Sequence, residues 1–231
     1  MLPFYDFLDS YEDEFQRIAD AAKAEHRSLL GIHEVDDQTY FEDVLNWPKL
    51  GYVDLKQIFF DIEGSVPGYG RKGTDATMCG CMSAFLDADQ NVRTVILIRQ
   101  TVKISFQHRE FKYAFKIASL LHEIGHVHDL ENEINFDMPA RRLNLIEAEV
   151  FANLFCLEQL AKRSFVHSFR TVGSALRDAI SQDGYLSEVA QKVLERMPQY
   201  QLTDWNAALS EPPTPDEMKR LGPKGFKAIT G

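Results

Sequence analysis

His122, Glu123 and His126 fall in the segment His122-Glu123-Ile124-Gly125-His126, inside a mostly apolar stretch with helical periodicity. On a helix, residues i and i+4 share one face a single turn apart, so two imidazole nitrogens can reach one zinc ion without bending the backbone. Glu123 is offset by one position. That makes it a poor third ligand for the same ion but a good group to hold an attacking water and take its proton. Chance alone places this pattern in about one or two of every hundred sequences of such composition. The setting sharpens it, because two histidines and a glutamate on an apolar helix are costly to bury unless something satisfies them. The competing reading is a pair of surface or hydrogen-bonded core histidines.

A catalytic zinc site takes three protein ligands and leaves a fourth position open. The next strongly helical segment contains Ile146-Glu147-Ala148-Glu149-Val150-Phe151-Ala152-Asn153. Glu147 is the expected third ligand, since Leu143 and Phe151 one turn to either side give it an apolar border; Glu149 is the neighbouring alternative. Asp129 lies one turn beyond His126 and could orient its ring, as carboxylates behind metal-bound histidines do. His128, Tyr113, Arg141, His167 and Tyr185 are further polar candidates, each better explained as ordinary structure.

These residues need elements to hold them. Residues 5–30 read as a helix, with Phe7, Tyr11, Phe15, Ile18 and Ala22 at helical spacing. A loop rich in glycine and proline spans 64–73. Residues 79–86 and 92–98 are strand-like, and the Asp87 to Asn91 turn makes them a hairpin. Helices are expected at 106–129, 144–162, 165–180 and 186–197. The expected class is α+β: a small sheet, hairpin plus edge strand, packed on the active-site helix, with additional N- and C-terminal helices. One domain is expected over 1–205, with its catalytic core near 50–163 and a helical part at 165–205; a proline-rich loose tail covers 206–231.

The net charge is −10, from 35 acidic and 25 basic side chains, which disfavours direct binding to nucleic acid. The three cysteines, Cys79, Cys81 and Cys156, are too few and too closely placed for a disulfide framework; they read as small buried hydrophobes, with redox or metal use the alternative. The first residues are acidic and carry no signal-peptide pattern, and no stretch is long and apolar enough to span a bilayer. A cytoplasmic location is the expectation.

The segment His122 to His126, taken with Glu147-Ala148-Glu149-Val150-Phe151-Ala152, resembles the ImmA/IrrE family of zinc metallopeptidases. That family follows its zinc-binding helix with a Glu-Ala-(Asn or Asp)-x-Phe-Ala segment. A hairpin and a strand leading into the active-site helix match its usual order, and the resemblance covers roughly residues 75–160. Glu149 stands where the family usually has Asn or Asp, and Phe155-Cys156-Leu157 replaces its common Leu-Leu-x-Pro ending. The resemblance implies a zincin-like core, a Zn2+ cofactor and peptide-bond hydrolysis. By the same resemblance the protein substrate would be a transcriptional repressor, in stress responses or mobile elements.

On the residues alone, three functions stay open. The first is a metallopeptidase with zinc on His122, His126 and Glu147 and Glu123 as base. The second is a metal-stabilised binding protein that antagonises a basic partner, such as a DNA-binding repressor, by docking without hydrolysis. The third is a zinc hydrolase acting on a non-peptide substrate.

Overall fold

Phe15, Ile18, Ala19 and Ala22 recur every three or four residues and are all buried, which is why helix α1 (Tyr11–Glu25) packs along one face. The computed structural model describes residues 11–41, 48–63, 80–100, 109–163, 165–180 and 184–200. The loop at 64–73, the tail at 206–231, Cys79 and the first part of the 5–30 helix lie wholly or largely outside these residues.

Where a helix was expected to run on to residue 30, the chain instead turns after Glu25 and enters strand β1 (Leu29–Val35). Leu29, Ile32 and Val35 find more to bury against a sheet than on a helix end. A short helix, α2 (Asp37–Phe41), follows; the Asp36 carboxylate accepts from the Thr39 amide at 2.7 Å and caps it.

Strands β2 (Lys56–Gln57) and β3 (Asp61–Ile62) precede the hairpin of β4 (Gly80–Leu86) and β5 (Val92–Arg99). The hairpin forms as its turn residues dictate. Asp87 accepts from the amides of Asp89 and Asn91 at 3.0 and 2.9 Å, and from Arg93 Nε at 2.8 Å. The sheet order is β1-β5-β4-β2, with β1 parallel to β5 and the rest antiparallel. Central β5 is therefore covered on both faces, and its Val95-Ile96-Leu97-Ile98 run is fully buried. Ile96 and Ile98 face the helices, while Val95 and Leu97 pack with Val35, Tyr40 and Phe85 on the opposite face.

The outer edge of β4 is partly closed. Lys56 and Gln57 pair with Leu86 and Phe85, and the Ile58 amide donates to the Ala84 carbonyl at 2.9 Å. Residues 80–83 have no strand partner on that side among the described residues.

Helix α3 (Arg109–Glu131) carries Ile117, Leu120, Leu121, Ile124 and Val127 into the main core. Each such buried side chain contributes roughly 1.5–3 kcal/mol. Glu131, its last residue, accepts from the Ser28 amide at 2.6 Å and pairs with His26 at 2.8 Å, pinning the α1–β1 turn to the end of α3. A second sheet, β3 with β7 (Arg142–Leu143) and β6 (Phe136–Asp137) in the order β3-β7-β6, closes over the loop that follows.

Helix α4 (Leu145–Lys162) starts at Asn144, whose side chain accepts from the Glu147 amide. Helices α5 (Val166–Ile180) and α6 (Tyr185–Arg196) complete the helical side of the core, with a 3-10 turn at Met197–Tyr200. The α+β expectation is met. No helix among the described residues is long and apolar enough to cross a membrane.

Candidate metal centre

The periodicity that buries Leu121, Ile124 and Val127 turns His122 and His126 toward α4, and their Nε2 atoms lie 3.1 Å apart. Glu149, on the facing turn of α4, brings one oxygen to 3.3 Å from His122 Nε2 and the other to 3.7 Å from His126 Nε2. These three side chains form a group that could hold a metal ion. Ligand bonds of about 2.0–2.1 Å in tetrahedral geometry require ligand atoms roughly 3.4 Å apart. The two nitrogens lie 3.1 Å apart, and with one oxygen of Glu149 the three ligand atoms all lie within 4.8 Å of one another, close enough for modest side-chain adjustment to seat an ion. The side chains keep 21%, 12% and 21% exposure for His122, His126 and Glu149. The cluster is thus half-sheltered rather than sealed in the core.

The structure does not bring Glu147, the expected third ligand, to the histidines; Glu149 stands there instead. Glu147 points to α6, where Arg196 reaches its carboxylate at 2.7 Å and Lys192 at 3.0 Å. Those two cations hold its carboxyl below the usual carboxylate range. On a helix, two residues of sequence separation turn a side chain by about 200°, so Glu147 and Glu149 cannot both face α3. Lys192 and Arg196 lie far along the chain, and no local pattern in α4 announces them. A signal for Glu149 did exist: Ala148 and Ala152 mark the side of α4 that can approach another helix closely, and Glu149 sits one turn before Ala152.

That close approach is specific. A Cβ added to Gly125 would stand 2.9 Å from Ala152 Cα and 3.2 Å from its carbonyl oxygen, both backbone atoms that cannot swing aside. The contact lies beside His126 and one turn from Glu149, so it sets how far Glu149 can reach. Gly125→Ala is expected to wedge α3 from α4, weaken the cluster's affinity for a metal ion roughly tenfold and destabilise the fold by about 1–3 kcal/mol. Zinc titration with thermal unfolding checks this, and unchanged zinc affinity would show that the helix separation does not matter.

Glu123 leaves this face and turns to β4. It is buried, and the Met82 backbone amide donates to its carboxylate. Burial pushes the carboxyl up to about 7; nearby Glu149 adds to the rise, while His122 and the Met82 amide oppose it. Burial also lowers His126 to about 4, keeping it neutral and able to ligate. For His122 burial acts downward, but the hydrogen bond and charge of Glu149 outweigh it and the net shift is upward. Glu149 itself is opposed by burial yet held near 2 by the two imidazoles, so it is ionised at neutral pH.

None of the other described polar candidates belongs to the cluster. Asp129 is fully buried and accepts from the Asn135 amide and side chain at 2.7 and 2.9 Å, bracing the loop after α3 rather than orienting His126. His128 stacks on Phe151 and Phe155 and meets the edge of His26. Arg141 is exposed, and Tyr185 packs against the main core. The side chains of Tyr113 and His167 lie outside the described set. Cys156 is buried and donates to the Ala118 carbonyl at 3.3 Å, with its thiol pushed up by burial, as suits a packing residue.

Comparison of the chain with protein-family models, with curated proteins and with solved structures found no match.

Proposed function

We propose that this chain is a zinc-dependent metallopeptidase with His122, His126 and Glu149 as metal ligands and Glu123 as general base. The observation that carries the reading is the convergence of two imidazoles and one carboxylate whose ligand atoms lie within 4.8 Å of one another, with a buried glutamate beside them. Two nitrogen donors and one oxygen donor suit zinc, and no thiol joins them among the described residues. The resemblance of His122 to His126 and of the following helix to ImmA/IrrE metallopeptidases, with their zincin-like core, supports the same reading. A bound zinc ion supplies Lewis acidity toward a carbonyl and a water.

The chain's own groups do the rest. Glu123, with a carboxyl poised near neutrality, takes the proton of the attacking water and hands it to the leaving amine. Gly80 and Met82 of β4 lie beside Glu123, so the scissile bond of a polypeptide substrate would lie near the start of that strand. A protein substrate, such as a basic DNA-binding repressor, suits an acidic chain with a net charge of −10.

The test is reversible metal dependence on an unfolded protein substrate such as fluorescein-labelled casein. Cleavage should stop with a strong zinc chelator and return on adding about one equivalent of zinc. Cleavage that survives complete zinc removal sinks the proposal. A chain that binds zinc and a repressor but cuts neither casein nor the repressor would be a docking protein.

A further inference from the structure

We infer that Tyr40 and Gly80 are positioning residues for Glu123: the Tyr40 hydroxyl anchors the start of β4, and the missing side chain of Gly80 leaves the space that the Glu123 carboxylate fills. Its mechanistic meaning rests on Glu123 being the base proposed above, whereas the placement itself does not.

The Tyr40 hydroxyl donates to the Gly80 carbonyl at 2.6 Å. Tyr40 is buried at 2% exposure, too constrained to offer that bond casually. The Arg99 guanidinium lies 5.5 Å from its ring centroid, and Asp37 holds Arg99 at 3.0 Å. Arg99 is itself 1% exposed, so this chain of contacts is anchored in the core on the face opposite the helices.

At the other end, a Cβ on Gly80 would stand 2.9 Å from both Cγ and Oε1 of Glu123 and 3.1 Å from Ile98 Cδ1. Any side chain at residue 80 would thus displace the carboxylate. Alternate residues of an antiparallel strand present both backbone groups to the same edge. Ala84 accepts from Ile58 on the outer edge, so Met82 and Gly80 present their groups to that edge as well. Glu123 takes the Met82 amide and Tyr40 takes the Gly80 carbonyl. The edge strand is therefore gripped at two successive outward positions, and the carboxylate sits between the anchor and the metal ligands. A carboxylate that must take a proton within hydrogen-bond reach gains from such fixing, since small displacements are costly in rate.

The experiment compares full-length wild type, Tyr40→Phe, Gly80→Ala and Glu123→Ala by amide hydrogen exchange at Met82, by zinc per chain, and by casein hydrolysis. Exchange at Met82 should be about tenfold faster in Glu123→Ala, calibrating the loss of its acceptor. Tyr40→Phe and Gly80→Ala should each accelerate it about fivefold or more, the scale of one hydrogen bond. Both should keep zinc, and kcat on casein should fall with KM little changed. Tyr40→Phe removes one oxygen and preserves the ring, so it keeps the test valid if Gly80→Ala folds poorly. Met82 exchange unchanged in Tyr40→Phe overturns the inference, as does a change spread evenly over the core amides. If wild type leaves casein uncut, the peptidase reading fails, and the Met82 rates still decide how Glu123 is placed.

Discussion

Glu149→Ala is expected to empty the metal centre, while Glu147→Ala, two residues away on the same helix, keeps it. Glu149 stands 3.3 and 3.7 Å from the two histidine nitrogens, and its carboxyl is held near 2, so it is an anionic donor at any working pH. Groups that merely support a ligand cost about 10–100-fold in metal affinity when removed, so loss of the ligand itself should exceed roughly 100-fold. Glu147 instead links α4 to α6 through Lys192 and Arg196. Its side chain is 26% exposed, and such partly solvated pairs stabilise by about 0.5–1 kcal/mol. Elemental mass spectrometry on the two variants, with thermal unfolding alongside, separates these roles. Full zinc in Glu149→Ala and loss in Glu147→Ala would reverse the assignment.

Glu123→Gln should retain zinc and lose hydrolysis by about 10²–10⁴-fold, the usual contribution of a positioned base. The amide keeps the shape of the carboxylic acid but cannot take a proton. A second consequence concerns stability. In the metal-free protein the Glu123 carboxyl titrates near 7, above its ordinary 4.5, because burial disfavours its charge. The folded state thus binds a proton that the unfolded state has released. The associated stability is complete below the unfolded value of 4.5 and is lost as pH rises through 7. A glutamine amide cannot ionise, so metal-free Glu123→Gln should match wild type near pH 4 and exceed it at pH 8 by on the order of 2 kcal/mol. Denaturant unfolding at the two pH values checks this. Equal stability at pH 8 would mean that the carboxylate is solvated and not held against β4. Wild-type turnover by the glutamine variant would remove Glu123 from the reaction.

Much of this arrangement is local in origin and therefore legible in the chain. His122 and His126 share a helical face because of the helical repeat alone, and Glu123 is excluded from that face for the same reason. The β4–β5 hairpin follows from the turn residues Asp87 to Asn91 and the β-branched run of β5 after them, and Asn144 caps α4 as its residue type favours. Alternation and periodicity were less informative at residues 29–35. Leu29, Ile32 and Val35 suit either a helix end or a strand, and β5, more than fifty residues later, supplies the partner that makes them a strand.

By itself the sequence determined the two histidines, the glutamate between them, the mixed class and the order of the main helices, because each depends on residues within a few turns of one another. Tertiary structure alone decided that Glu149 rather than Glu147 joins the histidines. That choice turns on the rotation of α4 about its axis, which Gly125 and Ala152 set by close contact and which Lys192 and Arg196 reinforce by drawing Glu147 to the opposite side. The same holds for the placement of Glu123. Its burial against Gly80 and Met82 requires a strand and a helix that meet only after the sheet has packed.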